Sequence, residues 1–463
     1  MFRNILAAAL LFAAPAAAQP LTADESAKVD KIVADALAST QVPSASIAIV
    51  RDGKIVFARA YGEQGPHIAA PTSDARYQIA SISKQFTAAG LLLLEDEGKL
   101  SLDDTIGKYL PGVSGGATVT IRQLLSHTAG LQDYWPQDYS FAAMERPATP
   151  QAIVDRWAKK PLDFAPGTAW QYSNTGYTVA GMILEKVAGE PILAYLDRKL
   201  FKPLGIRPID QDLAVGKGSV TGYRRNALGP VRPAIIPGAD WMFATGELAM
   251  SATDLAKWNI ARIERKLLPA EDWIEQERMV KLADGSPSNY GLGVTLGQRG
   301  EYKQVSHGGA AVGFLSQNIV IPDARLAVVS LVNGDFGNAH SNIASGILNL
   351  LLPTASASSD EAHRTSLARD FYAALQKGEP DRGMLTENAA YYFNEETVRD
   401  YRDSLAPLGA PTSFEPLGGP RLRGGFVNRN YRIAYPGRSL VVVTYADPGR
   451  DGKIEQFFIT PAG

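Results

Sequence analysis

The chain has 463 residues, 45% of them hydrophobic and 20% charged, with a formal net charge of −2 and no cysteine. Disulfides, thiol nucleophiles, Cys-based zinc sites and a lipoprotein anchor are therefore excluded. The near-neutral charge balance, with no Lys/Arg-rich block, also argues against nucleic acid, whose phosphates demand a basic footprint. A small-molecule or peptide-like substrate is the expected partner.

A chain of this length splits more readily into two domains than into one. Residues 1–18 begin with Arg3 in a basic n-region, continue through an apolar run at 5–14 and end on Ala16-Ala17-Ala18. This is the layout of a secretory signal peptide. The run is about half of the ~20 apolar residues a membrane span requires. Cleavage after Ala18 and a periplasmic or secreted protein without a membrane span are expected.

Residues 24–40 carry Val29, Ile32, Val33 and Leu37 at helical spacing, which predicts an amphipathic helix. Apolar runs at 46–50 and 55–62 flank Asp52-Gly53 and predict a hairpin. A second hairpin is expected at 314–321 and 325–333, turning at Pro322-Asp323, with a helix at 341–352. Between the hairpins the pattern is mostly helical and loop-rich. The fold class that follows is α+β: an antiparallel sheet built from both ends of a domain 19–352, flanked by helices, with a mostly helical subdomain. The small, polar stretch 353–361 reads as a linker. Residues 362–463 show helical patterns at 368–379 and 394–409, then strand-like runs at 426–434, 439–446 and 453–460. This is a second, small α+β domain.

Chemistry concentrates in three places. In Ala80-Ser81-Ile82-Ser83-Lys84 the serine sits where a helix should begin, near the positive end of its dipole, and Lys84 lies one turn on along the same face. A serine hydroxyl needs an adjacent base, and a lysine serves once burial lowers its pKa. An N-cap serine followed by a solvated lysine gives the same four-residue pattern, so this motif alone decides nothing. The second place is Tyr172-Ser173-Asn174, where a phenol can relay a proton and an amide can bind a carbonyl or amide from one loop. The third is Ser306-His307-Gly308-Gly309-Ala310, a candidate edge strand whose glycines let a substrate approach the backbone.

In this order and combination the motifs resemble the β-lactamase superfamily of active-site serine enzymes. That group includes class C β-lactamases, D-alanyl-D-alanine carboxypeptidases, esterases and D-aminopeptidases. Segments 120–131, 164–177, 244–258 and 306–314 are similar to the family as well, so the resemblance runs from about residue 25 to 352. It implies a serine hydrolase that works without cofactor or metal. Ser81 is the implied nucleophile, and Lys84 with Tyr172 the pair that removes its proton and later protonates the leaving group. The backbone N–H groups of Ser81 and Ala310 form the implied oxyanion hole, and Asn174, His307, Gly308 and Gly309 bind substrate. A tyrosine in the second motif points to the class C-like branch, in which no separate glutamate need serve deacylation.

The third motif departs from the lactamase and carboxypeptidase pattern. Its middle residue is usually a hydroxyl that helps bind a substrate carboxylate, and Gly308 has none. His307 carries at most partial positive charge at neutral pH. Ester or amide cleavage is thereby favoured over D-alanyl-D-alanine carboxypeptidase or lactamase action, with D-aminopeptidase activity a further alternative. A non-catalytic binding or sensor protein of the same fold is the rival from another class. Gly112-Val113-Ser114-Gly115-Gly116 matches G-x-S-x-G, but Pro111 precedes it and a turn follows, where a nucleophile elbow needs strand and helix. His127 is assigned to a structural turn near the site, and His67, His340 and His363 show no metal-ligand spacing. The element pattern of 362–463 is similar to the NTF2-like group of cone-shaped domains.

Overall fold

The computed structural model describes residues 19–139, 141–352 and 359–462. The expected signal peptide and most of the expected linker lie outside the described residues. The chain divides into two compact units, 1–352 and 353–463.

The first unit opens with α1 (Ala23–Thr40), which Thr22 and Glu25 start through a reciprocal capping box. Strands β1 (Ser44–Arg51) and β2 (Lys54–Gly62) follow, joined by Asp52 and Gly53 with φ of 51° and 75°. Two positive φ values in succession give the turn whose twist matches that of a hairpin. A 3-10 turn at Ala80–Ser83 runs into α2 (Lys84–Asp96). Helices α3 (Asn174–Ala188) and α4 (Ala252–Glu264) follow. The chain then returns to the sheet as β3 (Thr295–Arg299), β4 (Tyr302–Ala311), β5 (Phe314–Ile321) and β6 (Leu326–Val332), and ends in α5 (Ala339–Leu351).

These six strands form one antiparallel sheet in the order β2-β1-β6-β5-β4-β3. The two ends of the unit meet at its centre, where Ala48 pairs with Val329. All seven residues of β6 are buried, because helices cover both faces. On one face Val29 and Val33 of α1 and Ile343 and Ile347 of α5 pack against Ile47 and Val328. On the other, Phe86 and Leu91 of α2, Val179 of α3 and Trp258 of α4 pack against Ala48 and Val329. Each such side chain contributes about 1.5–3 kcal/mol by leaving water. Beside α2, Arg262 and Glu277 form a fully buried pair at 3.0 Å, and Arg262 also donates to Gln85 Oε1.

A small second sheet fixes the approach to α2. Tyr77–Gln78 pairs with Leu248–Met250, which pairs with Ile209–Asp210. The expected second hairpin is β5–β6, turning through a 3-10 segment at Pro322–Ala324. Ser114 of the G-x-S-x-G match lies in turns, its N–H bonded to the carbonyl of Ala158. Among the described residues no helix is long and apolar enough to cross a membrane.

The second unit contains α6 (Ser359–Lys377), α7 (Glu387–Tyr392) and α8 (Glu395–Leu405). Five strands follow: β7 (Ser413–Pro416), β8 (Arg421–Arg423), β9 (Phe426–Tyr435), β10 (Arg438–Ala446) and β11 (Ile454–Pro461). The sheet order is β7-β9-β10-β11, with β8 on β9. One boundary needs correction: residues 359–361, expected in the linker, form the first turn of α6. Asp360 and Glu361 suit a helix N-terminus, and Glu361 holds Arg429 of β9 through two bonds of 2.8 and 2.5 Å. Phe371, Leu375, Phe393, Ile433, Val442 and Phe457 make up much of the core of this unit.

Candidate active site

The chain reaches Ser81 under tension. Ala80, immediately before it, has φ 48° without being glycine, a left-handed conformation that costs about 1 kcal/mol or more and persists only where packing enforces it. The enforcement is visible. Ile79 N–H donates to the Leu248 carbonyl, and Ser316 Oγ of β5 donates to the Ile79 carbonyl. Ser81 thus stands half-buried in the 3-10 turn before α2, rather than at the helix N-cap itself.

Lys84 is fully buried. Its Nζ lies 2.8 Å from Asn174 Oδ1, 2.8 Å from the Thr245 carbonyl and 3.1 Å from Ser81 Oγ. The first two groups can only accept. A neutral amine has two N–H donors for them and one lone pair left, which faces the Ser81 hydroxyl. Burial lowers the Lys84 pKa to about 7, against a smaller opposing pull from Asp133. The amine is therefore available as a base near neutral pH.

Asp133, which no motif singles out, fixes this geometry. Its carboxylate accepts from the Asn174 backbone N–H at 3.0 Å and from Asn174 Nδ2 at 3.2 Å. With its NH2 so engaged, Asn174 can present only Oδ1 to Lys84. Burial pushes the Asp133 carboxyl up to about 6, leaving it ionised at neutral pH. Asp133→Asn replaces an acceptor with an amide that faces the amide of Asn174 and removes the charge that supports the ammonium form of Lys84. The expected outcome is an about tenfold lower plateau kcat and an acidic limb of the pH–rate profile displaced to lower pH. Initial rates measured from pH 5 to 9 check both.

Tyr172 lies beside the amine, its ring centroid 4.9 Å from Lys84 Nζ, and the Ser81 hydroxyl faces its phenol. Burial raises the Tyr172 pKa, so the phenol keeps its proton. The two expected partners are therefore differently equipped: Lys84 can accept a proton, and Tyr172 can donate or relay one. The loop bearing Tyr172 is held by 127–131. Gln171 N–H and Gly167 N–H donate to the carbonyls of His127 and Thr128, and Ser173 N–H donates to His127 Nδ1 at 3.2 Å. The His127 ring packs against Tyr172 at 4.2 Å between centroids, and burial keeps this histidine neutral.

On β4, Gly308, Gly309 and Ala310 pair with Gln317, Ser316 and Leu315 of β5. The register with β3 ends at Ser306, so the next residues form an edge beside Ser81. Gly309 is required there, because a Cβ would lie 2.1 Å from the Ile79 carbonyl. Gly308 is exposed and adds no side chain to the site. His307 corrects an expectation: it carries no partial charge at neutral pH. Burial lowers its pKa to about 4, and it donates from Nδ1 to the Gly308 carbonyl at 2.6 Å while Nε2 accepts from the Tyr290 hydroxyl at 2.7 Å. Tyr290 and the Thr245 carbonyl, like Asp133, were not identifiable from the sequence. Among the described residues no cluster of three or more His, Asp or Glu could hold a metal ion.

The structure thus brings Ser81, Lys84, Tyr172 and Asn174 into one contact network and sets His307–Ala310 along its edge. The sequence profile described as Beta-lactamase matches residues 29–350. A D-aminopeptidase of Brucella anthropi is 27% identical over 317 residues, covering 67% of this chain but 59% of its own length. Among solved structures, a D-stereospecific amidohydrolase from Streptomyces sp. is 29% identical with a TM-score of 0.62, covering 71% of this chain and 99% of its own. The octameric penicillin-binding protein homologue from Pyrococcus abyssi shares the fold at 22% identity and a TM-score of 0.60, over 94% of this chain and 99% of its own.

Proposed function

The chain belongs to the beta-lactamase family and is a serine hydrolase, and from that premise we propose that it cleaves neutral esters or amides through an acyl-enzyme on Ser81. The observation that carries this reading is the buried amine of Lys84, 2.8 Å from two groups that can only accept and 3.1 Å from Ser81 Oγ, an arrangement that leaves the lone pair of the neutral amine to the Ser81 hydroxyl. Lys84 takes the proton as Ser81 attacks the carbonyl carbon. The oxyanion is received by the backbone N–H groups of Ser81 and Ala310, donors of a kind worth about a hundredfold or more in rate. The proton held by Lys84 passes through Tyr172 to the leaving group, and the same pair then takes a proton from the attacking water and returns it to Ser81 as the acid leaves.

Substrate class follows from the edge strand. With His307 neutral and Gly308 bare, this edge offers neither a cation nor a hydroxyl to a carboxylate. Neutral ester or amide substrates are favoured for that reason. D-aminoacyl amides are a second candidate, on the strength of the D-aminopeptidase and D-stereospecific amidohydrolase relatives. We read 1–18 as an export signal cleaved after Ala18, which places the enzyme in the periplasm or outside the cell. The second unit is read as NTF2-like. Three helices with a five-stranded antiparallel sheet, and a cavity of about 410 Å3 lined by Arg364 and Tyr431, support that reading.

The test combines labelling with a substrate panel. A fluorophosphonate should leave its adduct on Ser81 and none on Ser81→Ala, located by peptide mass spectrometry. Short-chain esters, D-aminoacyl amides and a chromogenic cephalosporin are then compared. Rapid cephalosporin turnover beside negligible ester and amide hydrolysis overturns the substrate class, and absence of any adduct supports a binding or sensor protein.

A further inference from the structure

The second unit holds a cavity of about 410 Å3 bounded by α6, β9, β10 and β11. Leu367, Ala368, Met384, Ile454 and Phe457 give it an apolar lining. Arg364, Arg429 and Tyr431 line it too and stand close together: Arg429 weighs on the Arg364 guanidinium, and both act on the Tyr431 phenol. An apolar chamber of this size with a few convergent polar groups is the build of a small-molecule site.

Arg364 is the anomaly of this chamber. It is 5% exposed, and its guanidinium donates to the carbonyls of Gly452 and Asp447 at 2.5 and 2.6 Å. Both partners are carbonyls, which orient a guanidinium without cancelling its charge, and Nε has no hydrogen-bond partner. Burial and Arg429 weigh against the charge, and Tyr431, Glu361 and Asp451 offset them only in part. Those two carboxylates are committed elsewhere. Glu361 takes two bonds from Arg429, and Asp451, exposed at the rim, is bonded to His363 Nε2 at 2.7 Å. Asp381, the other acid of the lining, is exposed and caps the Gly383 N–H at 2.8 Å.

A buried charge without its opposite is costly, and arginine cannot escape the cost by shedding its proton. Relief has to come from an anion. Arg429 has donors to spare for it, since Glu361 engages only two of its five N–H groups through Nε and Nη2. The charge count sets the kind of anion. With Arg429 balanced by Glu361, one positive charge remains, so a monoanion matches and a phosphate dianion would bring one charge too many. The apolar lining calls for a hydrocarbon body on the same molecule.

We propose that the second unit binds an organic monoacid, its carboxylate drawn to Arg364, Arg429 and the Tyr431 hydroxyl and its hydrocarbon body set against Leu367, Met384 and Phe457. The site is independent of the chemistry at Ser81. Its test titrates octanoate, octan-1-ol and octyl phosphate into the full-length protein labelled with [13C-methyl]methionine. Met384 lines the cavity, whereas Met242 packs with Ala80 around Gly246 and reports on the first unit's site. Octanoate should shift the Met384 resonance, assigned through Met384→Leu, and bind about tenfold or more tightly than octan-1-ol, the worth of one charged hydrogen bond. In Arg364→Gln that ratio falls toward one. Leu367 is half-buried, so Leu367→Trp places a larger side chain in the cavity, leaves Arg364 in place and should weaken acid and alcohol alike. This second variant decides the matter where Arg364→Gln does not fold. Equal affinity for acid and alcohol, tighter binding of octyl phosphate, no shift at Met384, a ratio that folded Arg364→Gln retains, or undiminished binding by Leu367→Trp overturns the proposal. A shift at Met242 alone places the acid in the first unit and overturns it too. Labelling of Ser81 bears on the acyl-enzyme reading and is untouched by any of these results.

Discussion

Lys84→Met should lower kcat by about three orders of magnitude while the protein remains folded, because it removes the proposed general base from Ser81 and replaces it with a side chain of similar length. Ester hydrolysis by wild type and variant, with circular dichroism as the check on folding, measures this. Wild-type rates should rise through about pH 7 as the buried amine loses its proton. The same burial has a thermodynamic signature. The folded pKa of Lys84 is depressed from 10.5 to about 7, so between these values the unfolded chain binds the proton that the folded chain has released. Stability then increases with pH across that window and is flat below it as far as this group is concerned. Methionine does not titrate, so groups remote from Lys84 cancel in the comparison, and Asp133, His127 and His307, which feel its charge, titrate below this window. Urea unfolding of both proteins should show wild type gaining about 3 kcal/mol relative to Lys84→Met between pH 7 and pH 9.5. A constant gap would mean that the lysine is charged in the fold and is not the base.

Gly309→Ala is expected to be nearly as damaging, by a different route. The new methyl would meet the Ile79 carbonyl at 2.1 Å and Ser316 Oγ at 2.2 Å, and the first of these is backbone that cannot swing aside. Either β4 retreats from the turn holding Ser81 or that turn shifts. Both outcomes spoil the spacing between Ser81 and Ala310. A drop in kcat of about a hundredfold follows from the loss of one oxyanion donor, with about 1–3 kcal/mol of stability lost to overpacking. Gly308→Ala is the control. There the nearest atoms outside the neighbouring residues are 3.5 and 3.7 Å away, and the change should be well tolerated. Equal losses at the two positions would show that close approach to Ile79 is not what Gly309 provides.

Much of this was legible in the chain itself, for physical reasons. The pairing of β1 with β6 follows from two apolar hairpins at opposite ends of one domain, and Ser81, Lys84, Tyr172 and Asn174 stand in short motifs whose spacing carries chemistry. Asp133 and Tyr290 were not legible. Their roles are to orient Asn174 and His307, and such support comes from whichever residue the fold places nearby, with no fixed spacing to reveal it. The charge of His307 was misjudged for a related reason: composition gives its ordinary pKa, but only packing shows a ring 6% exposed and already accepting from Tyr290. In the second unit the short strands β7 and β8 escaped notice because four and three residues carry too little alternation. The boundary at 359–361 was misplaced because small polar residues followed by acids suit a linker and a helix N-terminus alike.

The closure of the central sheet by both ends of the first unit also governs the order in which the protein can assemble. Residues 44–62 emerge from the ribosome early, but β1 finds its second neighbour only when 326–332 have been made. Until then a strand carrying Ile47, Ile49 and Val50 keeps one edge open, a state prone to pairing with other chains. Sequence-distant pairing of this kind is slow to form. The nascent protein cannot complete its sheet, nor bring Gly309 against Ile79, before the last strands arrive. Hydrolytic activity therefore appears only after residues 326–332 have been made.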